Sequence, residues 1–194
     1  RPWRRQYTEI VEKAEKAKEE IAVNEVLKAI LERRSVRKFT GEPVSREEME
    51  TLLQAASYAP SGMGKQSWQF TAVTDGAKIA ALCEAVGKAM GREGYDMYRP
   101  AALILASNDR ENGNGLADCA CALQNIFLAA HSLGLGSVWI NQLKETSDEP
   151  GVRAVLQGFG VPAEHIVWGV ASLGHPAETP AAKPRREGVI HWAD

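Results

Sequence analysis

The sequence has 194 residues, 44% of them hydrophobic and 25% charged, with a formal net charge of -2. That balance describes one globular domain able to bury a sizeable core, and it provides no overall field for nucleic acid. The longest apolar run, near Ala117 to Ala130, is broken by Asp118, Gln124 and Asn125, which excludes a membrane span there.

Residues 1–23 alternate Glu and Lys at helical spacing with few large apolar groups, which predicts a solvated helical arm or a segment packed on a partner chain. They lack the apolar centre of a signal peptide. From Asn24, a capping residue, Val26, Leu27, Ile30 and Leu31 form a helical stripe that ends near Arg34. Ser45 and Glu48 stand in capping-box relation ahead of a helix that buries Met49, Leu52, Leu53 and Ala56 and stops at Pro60. "WQFTAV" reads as a strand, "AKIAALCEAVGKAM" as a helix, and "AALILAS" as an apolar strand central to a sheet. A buried helix is expected from Asp118 to Leu133, ended by Gly134, with His131 as a hydrogen-bonded core residue. "SVWI" is a strand, "EPGVRAVLQGF" a helix with Pro near its start, and "HIVWGVASLG" a further strand. The tail from His175 is rich in Pro, Ala and charge and is expected to cross the surface or another subunit. With no repeat and no linker, residues 24–194 read as one unit of about five helices and four or five strands. Cys83, Cys119 and Cys121 read as reduced core residues of a cytoplasmic protein.

Several familiar chemistries are excluded. "GLGSVW" has Trp139 where a dinucleotide fingerprint needs its third glycine and precedes a strand, and "GMGKQS" has Ala59 at the first glycine position of a P-loop and Gln66 after Lys65. The histidines at 131, 165, 175 and 191 lack metal-ligand spacing. Three stretches remain. In "RRSVR", guanidinium forks can grip a phosphate bidentately while Ser35 adds a hydroxyl. "APSGMGKQSW" is rich in Gly and small polar residues, which would present backbone amides and let a flat ligand approach. "AKPRR" adds Lys183, Arg185 and Arg186 near the carboxyl end. Each also has an ordinary explanation: cations suited to a helix end, a connecting loop, a solvated tail.

In this order, the stretches resemble the flavin-dependent nitroreductase family. "RRSVRKF" is similar to its amino-terminal flavin signature, "YAPSGMGKQSWQF" to its PSxxNxQPW-type loop, "LQNIFLAAHSLGLGSVWI" to its central helix and following strand, and "SLGHP" with "KPRR" to its closing segment. The resemblance implies an α+β fold with a central mixed or antiparallel sheet flanked by helices, and an intertwined homodimer holding two FMN molecules between its subunits. It places Arg33, Arg34, Ser35 and Arg37 at the phosphate, the ribityl chain and the pyrimidine edge, with Arg37 as the candidate stabiliser of charge on the reduced flavin. Pro60, Ser61, Gly62, Gly64 and Gln66 would come from the other subunit. Asn141, flanked by Ile140 and Gln142, would offer a backbone amide near flavin N5, and Gly174, Lys183 and Arg185 would close over the phosphate. Gly64 replaces the Asn of the loop signature, Ser67 stands where Pro is usual, and Gln142 stands where some relatives have Gly. The implied reaction is ping-pong: NADH or NADPH passes a hydride to the flavin and leaves, and a nitroaromatic, quinone or similar acceptor takes the electrons at the same face. Dehalogenation, enone reduction, or a flavin-storing or sensing module without turnover are the alternatives. Trp68 and Trp139 read equally as pocket-lining or core aromatics.

Overall fold

A computed structural model describes residues 24–193, and the expected arm over residues 1–23 lies outside them. Strand periodicity determines the architecture. In β2 (Ala102–Asp109), Ala102, Ile104 and Ala106 face one way and Leu103 and Leu105 the other, and all five are fully buried. Both faces of the sheet must therefore be covered. On the first face lie α2 (Arg46–Ser57) and the 18-residue α4 (Gly115–Ser132), whose Leu52, Ala56, Leu123 and Ile126 join that core. On the second lie α3 (Gly76–Ala89) and α6 (Pro150–Gly158), through Leu82, Val86, Val152 and Leu156.

The sheet runs β1-β2-β4-β3, with β1 spanning Trp68–Val73, β3 Gly136–Ile140 and β4 His165–Gly174, and all three pairings are antiparallel. "AALILAS" is thus an interior strand, as its composition implies. One irregularity was not visible in the sequence. Ala106 pairs with Gly169 while Ser107 pairs with Val167, so Trp168 is an extra residue in a β-bulge. The bulge turns Trp168 and Gly169 towards the same core, where a Cβ on Gly169 would lie 2.7 Å from both Leu123 Cδ1 and Trp139 Cζ2.

Local signals set the helix ends. Asn24 Oδ1 accepts from the Val26 and Leu27 amides at 3.0 and 3.1 Å and opens α1 (Glu25–Glu32). Both halves of the Ser45–Glu48 capping box form, at 2.7 and 3.2 Å. Gly134, at φ 76°, ends α4 with the Leu135 amide donating to Ala130 at 2.8 Å. The sequence placed the start of this helix at Asp118, but it begins at Gly115, within the loop composition that hid it. A single helical turn, α5 (Leu143–Thr146), follows β3 and was too short to leave a periodicity. Two burial expectations are corrected. Cys121 is exposed because it falls on the outer side of α4, whereas Cys83 and Cys119 are buried. His131 is half-buried at a cavity rimmed by arginines and is not a core residue, because the last turn of α4 ends there.

Candidate functional site

The cationic segment is built into the sheet's edge. Ser35 forms a parallel bridge with Ser137 of β3, and the Val36 amide donates to the Ser137 carbonyl at 3.0 Å. Phe39 bridges Pro176, and the Ala177 amide donates to the Lys38 carbonyl at 2.9 Å. The approach requires two glycines. A Cβ on Gly136 would lie 2.9 Å from Val36 Cγ1, and one on Gly174 would lie 2.9 Å from Phe39 Cδ1. The role visible for Gly174 is therefore close packing under the segment.

So held, Arg33 and Arg34 line a cavity of about 300 Å³ with His131, Ser137, Glu178 and Pro180. Arg34 donates to the Leu31 and Arg33 carbonyls at 2.6 and 2.8 Å, which caps the end of α1. The helix-end explanation accounts for that cation, but not for Arg33. Burial, then the positive charges of Arg34 and Arg185, lower the Arg33 guanidinium below its ordinary range. The two cationic stretches, about 150 residues apart in sequence, thus lie within electrostatic range of each other. Among the described residues neither Arg33 nor Arg185 is in an ion pair. Lys183 is exposed on the same tail. Glu178 spends one carboxylate oxygen on the Arg37 amide at 2.7 Å, while the Arg37 guanidinium lies 5.7 Å over the Tyr98 ring.

The glycine-rich loop is a rigid turn. Met63, Gly64 and Gln66 have φ of 55°, 63° and 46°, the left-handed region that costs energy for non-glycine residues. A buried carboxylate holds this shape. Asp118 Oδ1 accepts from the Gly62 amide at 2.8 Å, and Oδ2 accepts from Ser61 Oγ at 3.2 Å and Asn112 Nδ2 at 3.3 Å. Ser61 Oγ in turn accepts from the Gln66 amide at 2.9 Å. Ser67 donates to Asn108 Oδ1 at 2.8 Å, so the residue found where Pro is usual ties the loop to β2. Sequence reasoning missed Asp118 as a supporting residue. Its signal was there, an acid in the first turn of an apolar helix. Pro60 is exposed, and Pro60–Gln66 line neither the arginine cavity nor the one at the end of β3, so one chain does not bring loop and cations together.

At the end of β3, Trp139, Ile140, Asn141 and Gln142 line a cavity of about 200 Å³ opposite Arg92–Tyr98. Gln142 Oε1 accepts from the Asn141 amide and from the Tyr95 hydroxyl, both at 3.1 Å. Burial is the main cause pushing Tyr95 up to about 12, so its hydroxyl keeps the proton it donates. Trp139 lines this cavity, whereas Trp68 packs against Phe70 at 5.4 Å. A larger cavity of about 750 Å³, between α3 and residues 91–100, shares the Arg92–Asp96 wall and has no counterpart in the sequence reading. Cys83 lines it, with a thiol pushed up to about 11 by burial, which makes it a poor nucleophile at neutral pH. Among the described residues no cluster of His, Cys, Asp and Glu could hold a metal ion, and no helix is long and apolar enough to cross a membrane.

The family model described as Nitroreductase family matches residues 30–99 and 91–175. A nitroreductase of Bacteroides fragilis solved with bound FMN is 38% identical, with a TM-score of 0.80 over 88% of this chain and 100% of that one. The NADPH-flavin oxidoreductase of Vibrio harveyi is 31% identical over 182 residues, 87% of this chain and 74% of that protein. The FMN reductase [NAD(P)H] of Bacillus subtilis is 30% identical over 191 residues, with the same coverage of 87% and 74%. A four-stranded antiparallel sheet with helices on both faces makes the fold α+β, alike in structure to the Bacteroides fragilis nitroreductase, and the names of the relatives define the class: this is an α+β oxidoreductase. The chain belongs to the nitroreductase family.

Proposed function

We propose that the protein is an FMN-dependent oxidoreductase of the cytoplasm that takes hydride from NADH or NADPH and passes electrons to a nitroaromatic, quinone or similar acceptor by a ping-pong mechanism. The observation that carries this reading is a cavity that Arg33 and Arg34 share with Ser137, the bridge partner of Ser35, within electrostatic range of Arg185. Cations held this close repel one another and lose hydration, and a doubly charged phosphate relieves both costs. The donor set therefore fits the FMN phosphate: Arg33 and Arg185 as forks, Ser35 as a hydroxyl donor, Lys183 as a further charge from the tail. Arg37, Ile140, Asn141 and Gln142 stand where the ring edge would lie, and Gly174 supports the segment from beneath. Bound FMN would supply the hydride and electron chemistry, for which no side chain here is suited. The chain's own task is binding, orientation and exclusion of water, with Arg37 placed to favour negative charge on the ring.

The reading also calls for two copies of the chain. Pro60, Ser61, Gly62, Gly64 and Gln66 are held ready by Asp118 but lie away from the cations of their own chain, so they serve the site of a partner copy in a homodimer. The test is an absorption spectrum of the purified protein, then anaerobic addition of NADH and, separately, NADPH. Bound-flavin peaks that bleach with either nucleotide are expected. Flavin that stays oxidised with both would favour a storage or sensing module. Colourless protein that cannot be reconstituted with FMN would overturn the reading.

A further inference from the structure

Two aromatic side chains on one short turn reach two different parts of the candidate flavin edge. Tyr98 lies under the Arg37 guanidinium, and the Tyr95 hydroxyl donates to Gln142. The turn is strained: Met97, Tyr98 and Arg99 are three successive non-glycine residues with φ of 48°, 69° and 52°. Such a backbone persists only where its surroundings over-determine it, and here they do. Met97 is buried, with its carbonyl accepting from Ser172 Oγ at 2.7 Å. Asp96 accepts from the Tyr98 amide at 3.0 Å and from Arg99 Nε at 2.9 Å. Tyr95 is thereby fixed on a rigid frame, and its partner is not. Gln142 is a long side chain with several rotatable bonds, yet one oxygen receives both the Tyr95 hydroxyl and the Asn141 amide.

We propose that Gln142, latched by Tyr95, is the gate of the ring-edge cavity: its carboxamide occupies the Asn141 N–H and must swing away before a flat ring can accept that hydrogen bond. This rests on the flavin reading above, which puts the ring at Asn141. Gln142 is then a specificity-determining residue and Tyr95 a positioning residue acting through it. A ring must supply an acceptor at least as good as the carboxamide, so a nitrogen heterocycle is admitted and a plain hydrocarbon is not. Because only open molecules can take the ring, the closed latch scales the apparent affinity for FMN down to the open fraction.

Tyr95→Phe keeps the ring and removes only the hydroxyl, and Gln142→Ala removes the gate itself. Two readouts are needed, amide-resolved hydrogen exchange on FMN-free protein and titration of FMN followed by quenching of its fluorescence. Losing one net hydrogen bond is worth up to roughly tenfold in an equilibrium constant. Exchange of the Asn141 amide should therefore rise by up to about tenfold in Tyr95→Phe, with the amides of Leu103 to Leu105 unchanged, and FMN should bind several-fold more tightly to both variants. Unchanged Asn141 exchange in both variants overturns the proposal. So does faster exchange with unchanged or weaker FMN binding, because the amide would then be free without benefit to the ring. Faster exchange across β2 as well would mean that Tyr95 serves only the fold. Wild-type protein that binds no FMN overturns the flavin reading and the ring gate with it, a result separate from the others because the exchange arm still reports the latch.

Discussion

Among the described residues Arg33 is a cation that neither the end of α1 nor a carboxylate accounts for, and it shares its cavity with Arg34 and its electrostatic surroundings with Arg185. A charge-assisted hydrogen bond contributes about 1.5–3 kcal/mol, so Arg33→Ala should weaken FMN binding by roughly ten- to a hundredfold. Riboflavin, which lacks the phosphate, should bind wild type and variant alike. Calorimetric titration with both ligands checks this, and equal losses for FMN and riboflavin would remove Arg33 from the phosphate. The sequence made the residue types legible at this scale, because four cations around a serine are conspicuous in a chain of net charge -2. It could not say which arginine was spent on capping a helix, since Arg34's bonds to Leu31 and Arg33 depend on a side-chain rotamer. Nor could it link Asp118 to Gly62, 56 residues away, because only the packing of α4 against the loop brings them together.

Elements carry those residues into place, and the closest fit is the docking of residues 35–39 on the sheet. Gly136→Ala puts a methyl where Val36 Cγ1 and the Gly174 carbonyl already stand, at 2.9 and 3.3 Å. Overpacking of this kind costs about 1–3 kcal/mol. The segment should lift from β3, so the urea midpoint and the FMN affinity should fall together; loss of stability with full FMN affinity would show that the bridge does not position the cations. A second tie crosses elements on the far side. Asp148, between α5 and α6, accepts from Arg110 just after β2 at 3.0 and 3.1 Å and from Arg153 of α6 at 2.8 Å. These hydrogen bonds, Arg110 first, lower its carboxyl from 3.8 to about 2. A carboxyl depressed on folding stabilises above its unfolded value and loses that contribution as pH falls from about 4 towards 2. The group is 58% exposed, so solvent screening keeps the effect below ~1 kcal/mol. Urea unfolding of wild type and Asp148→Asn should differ at pH 6 and converge near pH 2, whereas a pH-independent gap would mean that the ion pairs contribute nothing. Helices and strands were legible in the sequence because periodicity and caps are local. The bulge at Trp168 was not, since a one-residue slip shows only against the partner strand.

Among the described residues a single copy of the chain leaves large apolar side chains exposed. The apolar stripe on α1 is exposed, with Val26 at 66% and Leu31 at 51%, and so are Ile190 and Trp192 on the tail, at 78% and 79%. Apolar groups at helical spacing beside the cationic segment suit an interface with another chain, and the homodimer proposed above would cover them and also bring a loop of the kind held by Asp118. Shared sites make a prediction that no single-chain site can satisfy. Arg33→Ala spoils the phosphate contact of a protomer's own site, while Asp118→Ala leaves the Gly62 amide and Ser61 hydroxyl unpaired and spoils the loop that serves the partner's site. Either variant alone should give a homodimer poor in FMN. In a heterodimer of the two, one site receives both defects and the other receives neither. Co-expressing the variants with different tags and isolating the mixed species should therefore restore one FMN per heterodimer at wild-type affinity. Were each site complete within one chain, the mixed species would carry one defect in each site and bind FMN no better than its parents.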